Sequence, residues 1–229
     1  MRRKPRDACR IPISSPSTML AKSMIFAISL ELLKGKDLAP YVKQGNLLRQ
    51  DKAVSVIARV ADALGYAHKQ NIVHRDIKPA NIMYEPESDQ VKVADFGIAR
   101  ITDSSKTKTG MVLGTPSYMS PEQLSGKKVD GQSDLFSLAV SLFQLLCGKL
   151  PFEGDSMAQL MFRIANEPAP DIRTINPDVS PGLVAFLEKA LAKEADQRYI
   201  GGDEFAAALR AAFANPAGLA PAGDVDISL

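Results

Sequence analysis

Tryptophan is absent from the chain, and histidine and cysteine occur twice each in 229 residues. Cys9 and Cys147 are too few and too distant for a disulfide framework or a thiolate metal centre, which fits a reducing compartment. No apolar run approaches the ~20 residues that a bilayer-crossing helix needs, so no membrane span is expected. The formal net charge is only +2. No excess of one sign calls for nucleic acid or an anionic membrane as partner. Met24 to Leu30 is apolar and follows a basic start, the pattern of a secretory leader. The run is short, lies well inside the chain and meets Glu31 at once, so it reads as a buried strand, and the expected location is cytoplasmic. Arg2, Arg3, Lys4, Arg6 and Arg10 read as a solvated tail.

What is present suits a folded domain. Hydrophobic residues make up 45% and charged residues 24%, a balance that supports one substantial core. Residues 1–23 are broken by Pro5, Pro12 and Pro16 among serines and read as a disordered tail. Residues 214–229, rich in Ala, Pro and Gly, read as a second. Between them, Val54, Ile57, Ala58, Ala61 and Leu64 recur at helical spacing over Asp51 to Lys69, with Asp51 offered as the cap. His68 reads as a partly buried helix residue and not a metal ligand. Asp134 to Leu146 is apolar almost all round, the pattern of a central buried helix, and Gly148 and Pro151 end it. Residues 156–165, 180–193 and 203–213 read as three further helices.

The chemistry concentrates in His74-Arg75-Asp76-Ile77-Lys78-Pro79-Ala80-Asn81, followed by a strand, the turn Glu85 to Asp89, a second strand and Asp95-Phe96-Gly97. Asp76, Asn81, Asp95 and Lys78 are thereby brought to neighbouring loops. Phosphoryl transfer needs such a set. A carboxylate orients the attacking hydroxyl, oxygen ligands hold Mg²⁺ on the phosphates, and a cation offsets charge on the moving group.

These two blocks, in this order and spacing, closely resemble the eukaryotic-type serine/threonine protein kinase family. The plain segment Gly114 to Glu122 is similar to its bacterial members. The resemblance implies an α+β, protein-kinase-like fold: a predominantly helical C-terminal lobe with a small β-sheet at the active-site edge, over residues 24–213. It implies ATP and Mg²⁺ as cofactors and a protein bearing Ser or Thr as substrate. By the same resemblance Asp76 is the catalytic carboxylate, Lys78 approaches both the γ-phosphate and the substrate, and Asn81 and Asp95 are the metal ligands. His74 holds the loop backbone, and Gly97 lets the chain turn after Asp95. The carbonyl of Glu31 and the amide of Leu33 face adenine, and Asp37 reaches ribose. Arg75 pairs with a phosphorylated activation-segment residue, Thr107 or Thr109. Thr115 and Pro116 dock the peptide, Asp134 anchors the catalytic loop, and Arg198 pairs with Glu122.

The sequence departs from the family at its start. No Gly-rich loop precedes Glu31, and only eight residues separate Lys22 from it, too few for Lys22 to be the family's strand lysine. The N-lobe is therefore expected to be missing, and weak ATP affinity with it. Three readings stay open: a kinase whose N-lobe or regulatory chain is separate, a catalytically silent binding module, and a truncated remnant.

Overall fold

The computed structural model describes residues 35–95 and 116–215. Contacts divide the chain into Met1–Leu32 and Leu33–Leu229, and every described residue belongs to the second unit. Three short strands form an antiparallel sheet in the order β1 (Lys36–Asp37), β2 (Ile82–Glu85), β3 (Gln90–Val93). In the register, Ile82 faces Val93 and Lys36 faces Tyr84. Gly35, at φ 98°, lies against β2, and a Cβ there would stand 2.5 Å from the Tyr84 carbonyl oxygen. Only glycine permits both that backbone and that approach.

Among the described residues, six α-helices carry most of the rest: α1 (Gln50–Lys69), α2 (Pro121–Leu124), α3 (Gly131–Cys147), α4 (Met157–Asn166), α5 (Pro181–Ala190) and α6 (Gly202–Ala214). The hydrophobic periodicity produces helices where the sequence predicts them, with shifts at the ends. Arg49, not Asp51, holds the cap position of α1, and Asp51 lies in the first turn, bonded to the Arg49 guanidinium. Ser156 and Ser180 sit just outside α4 and α5, each accepting a backbone N–H of the first turn, because a hydroxyl there satisfies an orphan donor. Helix α5 stops at Ala190, earlier than the apolar pattern suggests, and Lys193, expected at its end, lies outside it and reaches the carbonyls that end α4.

Helix α3 is buried on nearly every face and forms the axis of the core. Helices α1, α5 and α6 pack on it, and α1 and α6 share an extensive contact. A Cβ at Gly202 would lie 2.1 Å from the Ala61 carbonyl oxygen, so the absence of a side chain sets how closely those two helices approach. Phe186, Tyr199 and Phe205 close the far end with rings at 4.9 to 5.6 Å. Among the described residues, no helix is long and apolar enough to cross a membrane.

Candidate active site

The loop from His74 to Asn81 is held from below by Asp134, on the first turn of α3. Its carboxylate, buried to 1% exposure, accepts the His74 amide at 2.8 Å and the Arg75 amide at 2.7 Å. His68 on α1 adds Nε2 at 2.9 Å. Three partners satisfy a carboxylate that would otherwise be costly to bury. Arg75 takes φ 68°, a left-handed conformation unfavourable for any residue that carries a Cβ. Its amide on Asp134 and its carbonyl, which accepts from Gln123 Nε2 at 3.1 Å, hold it there.

The buried His74 ring joins the loop to the strand that follows it. Nδ1 accepts the Asp76 amide at 3.3 Å, and Nε2 meets the Ala94 carbonyl at 2.9 Å. That pair of partners assigns the proton to Nε2. The Ala94 amide donates to the Asn81 carbonyl at 2.9 Å. Asp95 is thereby tethered, through its preceding residue, to both ends of the loop. It is exposed and has φ 57°.

Asp76, Lys78 and Asn81 meet at one open edge. Lys78 Nζ donates to Asp76 Oδ2 at 2.8 Å, and Asn81 Nδ2 donates to the Asp76 carbonyl at 2.7 Å and to Oδ2 at 3.1 Å. The Asp76 side chain is 49% exposed and that of Lys78 27%, so both remain open to a ligand. With its amide nitrogen committed to Asp76, Asn81 keeps Oδ1 as an acceptor. Among the described residues no three His, Cys, Asp or Glu side chains converge as a metal cage. One amide oxygen and one carboxylate nevertheless fit Mg²⁺, which retains waters and takes phosphate oxygens.

Asp37 lies on β1, and its Oδ1 accepts the Ala39 amide at 2.9 Å. The Leu38 amide donates to the carbonyls of Pro79 and Ile82, which brings this segment alongside the loop. Pro116 begins a buried turn, Pro116–Tyr118, whose Tyr118 carbonyl accepts Ser137 Oγ at 2.6 Å. Glu31, Leu33, Gly97, Thr107, Thr109 and Thr115 lie outside the described residues.

Behind the site, Arg198 donates Nη1 to Glu122 Oε1 at 2.8 Å and Nη2 to Oε2 at 3.0 Å. Ser133 Oγ adds a third bond to Glu122. Burial alone would raise the Glu122 carboxyl, but the hydrogen bonds from Arg198 and Ser133 outweigh it and bring the group down to about 2. Arg198 also spends Nε and Nη2 on the carbonyls of Ala192 and Lys193 and stacks over Phe136. Sequence reasoning missed three of these supports: His68 on Asp134, Gln123 on Arg75 and Ser133 on Glu122. For His68 the sequence offered only a histidine at the end of an apolar stripe, 66 residues from its partner.

The family model "Protein kinase domain" matches residues 13–209. The chain is 41% identical over 195 residues to the serine/threonine-protein kinase pkn3 of Myxococcus xanthus, covering 80% of this chain and 36% of that protein. It is 42% identical over 176 residues to the serine/threonine-protein kinase PknB of Mycolicibacterium smegmatis, covering 75% and 28%. The chain thus spans about a third of the length of the curated relatives it matches. The crystal structure of the Mycobacterium tuberculosis PknI kinase domain superimposes with a TM-score of 0.63 at 27% identity, over 80% of this chain and 64% of that one.

Proposed function

The chain belongs to the protein kinase family, in its bacterial serine/threonine branch, and from that premise we propose that it transfers the γ-phosphoryl group of ATP to a Ser or Thr hydroxyl of a protein. The observation that supports this most is the meeting of Asp76, Lys78 and Asn81 at an open edge. Asp76 accepts the proton of the attacking hydroxyl and aligns that oxygen with the phosphorus. Lys78, 2.8 Å from Asp76, stands where one ammonium can face both the carboxylate and an incoming phosphate. Asn81, through Oδ1, and Asp95 are the residues that would hold Mg²⁺. When bound, the ion neutralises charge on the phosphates. Asp37 retains Oδ2 for a ribose hydroxyl, and Glu31 and Leu33 offer backbone groups to adenine. Thr115 and Pro116 receive the peptide. Arg75 pairs with a phosphate on Thr107 or Thr109, drawing the activation segment towards the loop.

Residues 1–30 hold no Gly-rich loop to cover the phosphates and no lysine at the family's spacing to grip them. Phosphate transfer by this chain alone is therefore slow, and a separate N-lobe supplied in trans accelerates it. The same gap favours a second reading, a binding module that presents the peptide platform without turnover. Incubation with γ-labelled ATP, Mg²⁺ and a generic Ser/Thr acceptor separates the two, with Asp76→Asn as control. Labelling that the variant loses supports the kinase reading. Equal labelling by both proteins, or none by either with peptide binding intact, sinks it.

A further inference from the structure

Helix α2, the end of α4 and the segment after α5 enclose an open groove of about 470 Å³, whose lining residues do not include the His74–Asn81 loop. Lys127, Lys128 and Lys193 line it, together with Glu122, Asp130 and Glu194. The charges do not cancel. Glu122 is committed to Arg198 and Ser133. Asp130 accepts the Gln132 amide at the start of α3, where the helix dipole offsets its charge. Among the described residues, Glu194 is the one lining carboxylate left without a partner, against three ammonium groups that have no carboxylate bound to them.

Lys193 is the unusual member. Its half-buried ammonium donates to the carbonyls of Ile164 and Arg163 at 2.7 and 3.3 Å, at the end of α4, and lies 3.8 Å above the Phe152 ring. Two of its three N–H groups take these carbonyls, and among the described residues no carboxylate is bound to it. Desolvation, then the nearby Arg198 charge, pushes Lys193 down to about 8, with Glu167 acting weakly the other way. A half-buried cation ordinarily has an anionic partner. Here a cavity stands beside it, with two exposed lysines at the rim.

We infer that this groove is a binding site for a dianionic phosphate group, held by Lys193 at the floor and by Lys127 and Lys128 at the rim. Three point-charge donors around a tetrahedral anion are a recurring way to hold phosphate. Binding supplies the anion that Lys193 lacks and raises its proton affinity, so near pH 8 the protein takes up protons as the ligand enters. Glu122, Asp130, Glu194, Lys127, Lys128, Glu167 and Arg198 are the charged groups around it; the first two carboxylates are already hydrogen-bonded.

The test is calorimetric titration of the whole chain near pH 8 in two buffers of different ionisation enthalpy. One arm uses inorganic phosphate and the other a phosphoserine peptide. Saturable binding with proton uptake is expected. Lys127→Ala with Lys128→Ala weakens it by about tenfold or more, and Lys193→Met removes the uptake. Lys78→Ala, which takes away the cation at the candidate active site, leaves both unchanged. A peptide that binds more tightly than inorganic phosphate identifies a phosphorylated protein as the source; equal binding identifies the free ion. No saturable binding of either probe at millimolar concentration overturns the inference. So does wild-type affinity in the rim variant, whose exposed substitutions leave folding intact even if Lys193→Met does not fold. Loss of binding in Lys78→Ala overturns it as well, by placing the anion at the other site.

Discussion

Arg198 and Glu122, 76 residues apart in sequence, face each other as a bidentate pair with N–O distances of 2.8 and 3.0 Å and side-chain exposures of 1% and 11%. Removing one partner strands the other charge in a dry site, which costs about 3–5 kcal/mol. Arg198→Met is therefore expected to lower the stability of the chain by that much, read from the midpoint of urea unfolding. A midpoint shift under 1 kcal/mol would show that water reaches the pair.

The same pair sets an acid limit. Glu122 is depressed from 4.5 to about 2, so its contribution is complete above pH 4.5 and is lost as pH falls towards 2. By linkage this amounts to about 3 kcal/mol. Urea midpoints measured from pH 6 to pH 3 should fall across the lower half of that range. In Arg198→Met that part of the slope should vanish, leaving only the titration of the remaining carboxylates.

Asp134 is the second buried anchor, and it can be divided experimentally. Asp134→Asn retains one acceptor oxygen for two loop amides and turns an NH₂ group towards a donor. The expected loss is about 2–4 kcal/mol, with faster amide exchange at His74 and Arg75. His68→Ala removes a single partner and should cost about 1 kcal/mol. If the double variant loses no more than Asp134→Asn alone, His68 acts entirely through that carboxylate.

Much of this organisation was legible in the chain, and what was not has a physical cause. The helices over Gln50–Lys69 and Gly131–Cys147 follow from side-chain periodicity, which is local. The order of His74, Asp76, Lys78, Asn81 and Asp95 was equally plain, because a loop and the strands beyond it keep sequence neighbours close. β1 is only two residues long and exists because Gly35 lets the chain lie against Tyr84, so no pattern announces it. The partnership of His68 with Asp134, and the departure of Lys193 from the expected helix to cap α4, are long-range. They depend on how α1, α3 and α4 pack, which periodicity does not encode.

Helix approach gives a paired prediction from two adjacent glycines. A Cβ at Gly202 would collide with backbone of α1, at 2.1 Å from the Ala61 oxygen, whereas one at Gly201 meets nothing within 4 Å. Gly202→Ala must push α6 off α1 and should cost more than about 2 kcal/mol. Gly201→Ala, at the cap of α6, should cost within about 1 kcal/mol. Thermal melts of the two variants decide it, and equal melting temperatures would mean that the two helices slide apart without penalty.

Lys78 offers the converse case, a residue expected to matter for chemistry and little for folding. Its pair with Asp76 is a single bond of 2.8 Å between side chains 27% and 49% exposed. Such a pair contributes under about 1 kcal/mol, since water screens it and two flexible side chains must be ordered to form it. In the transfer proposed above, the same ammonium would face charge that builds on the moving phosphoryl group, where a fixed cation acts with less screening. Lys78→Met should therefore leave the urea midpoint within about 0.5 kcal/mol of wild type while lowering the rate of label transfer by about 100-fold or more. Adding an N-lobe in trans should raise the wild-type rate and leave that ratio unchanged if its groups and Lys78 act independently. A variant that transfers label as fast as wild type would remove Lys78 from the chemistry and leave it as a surface contact of Asp76.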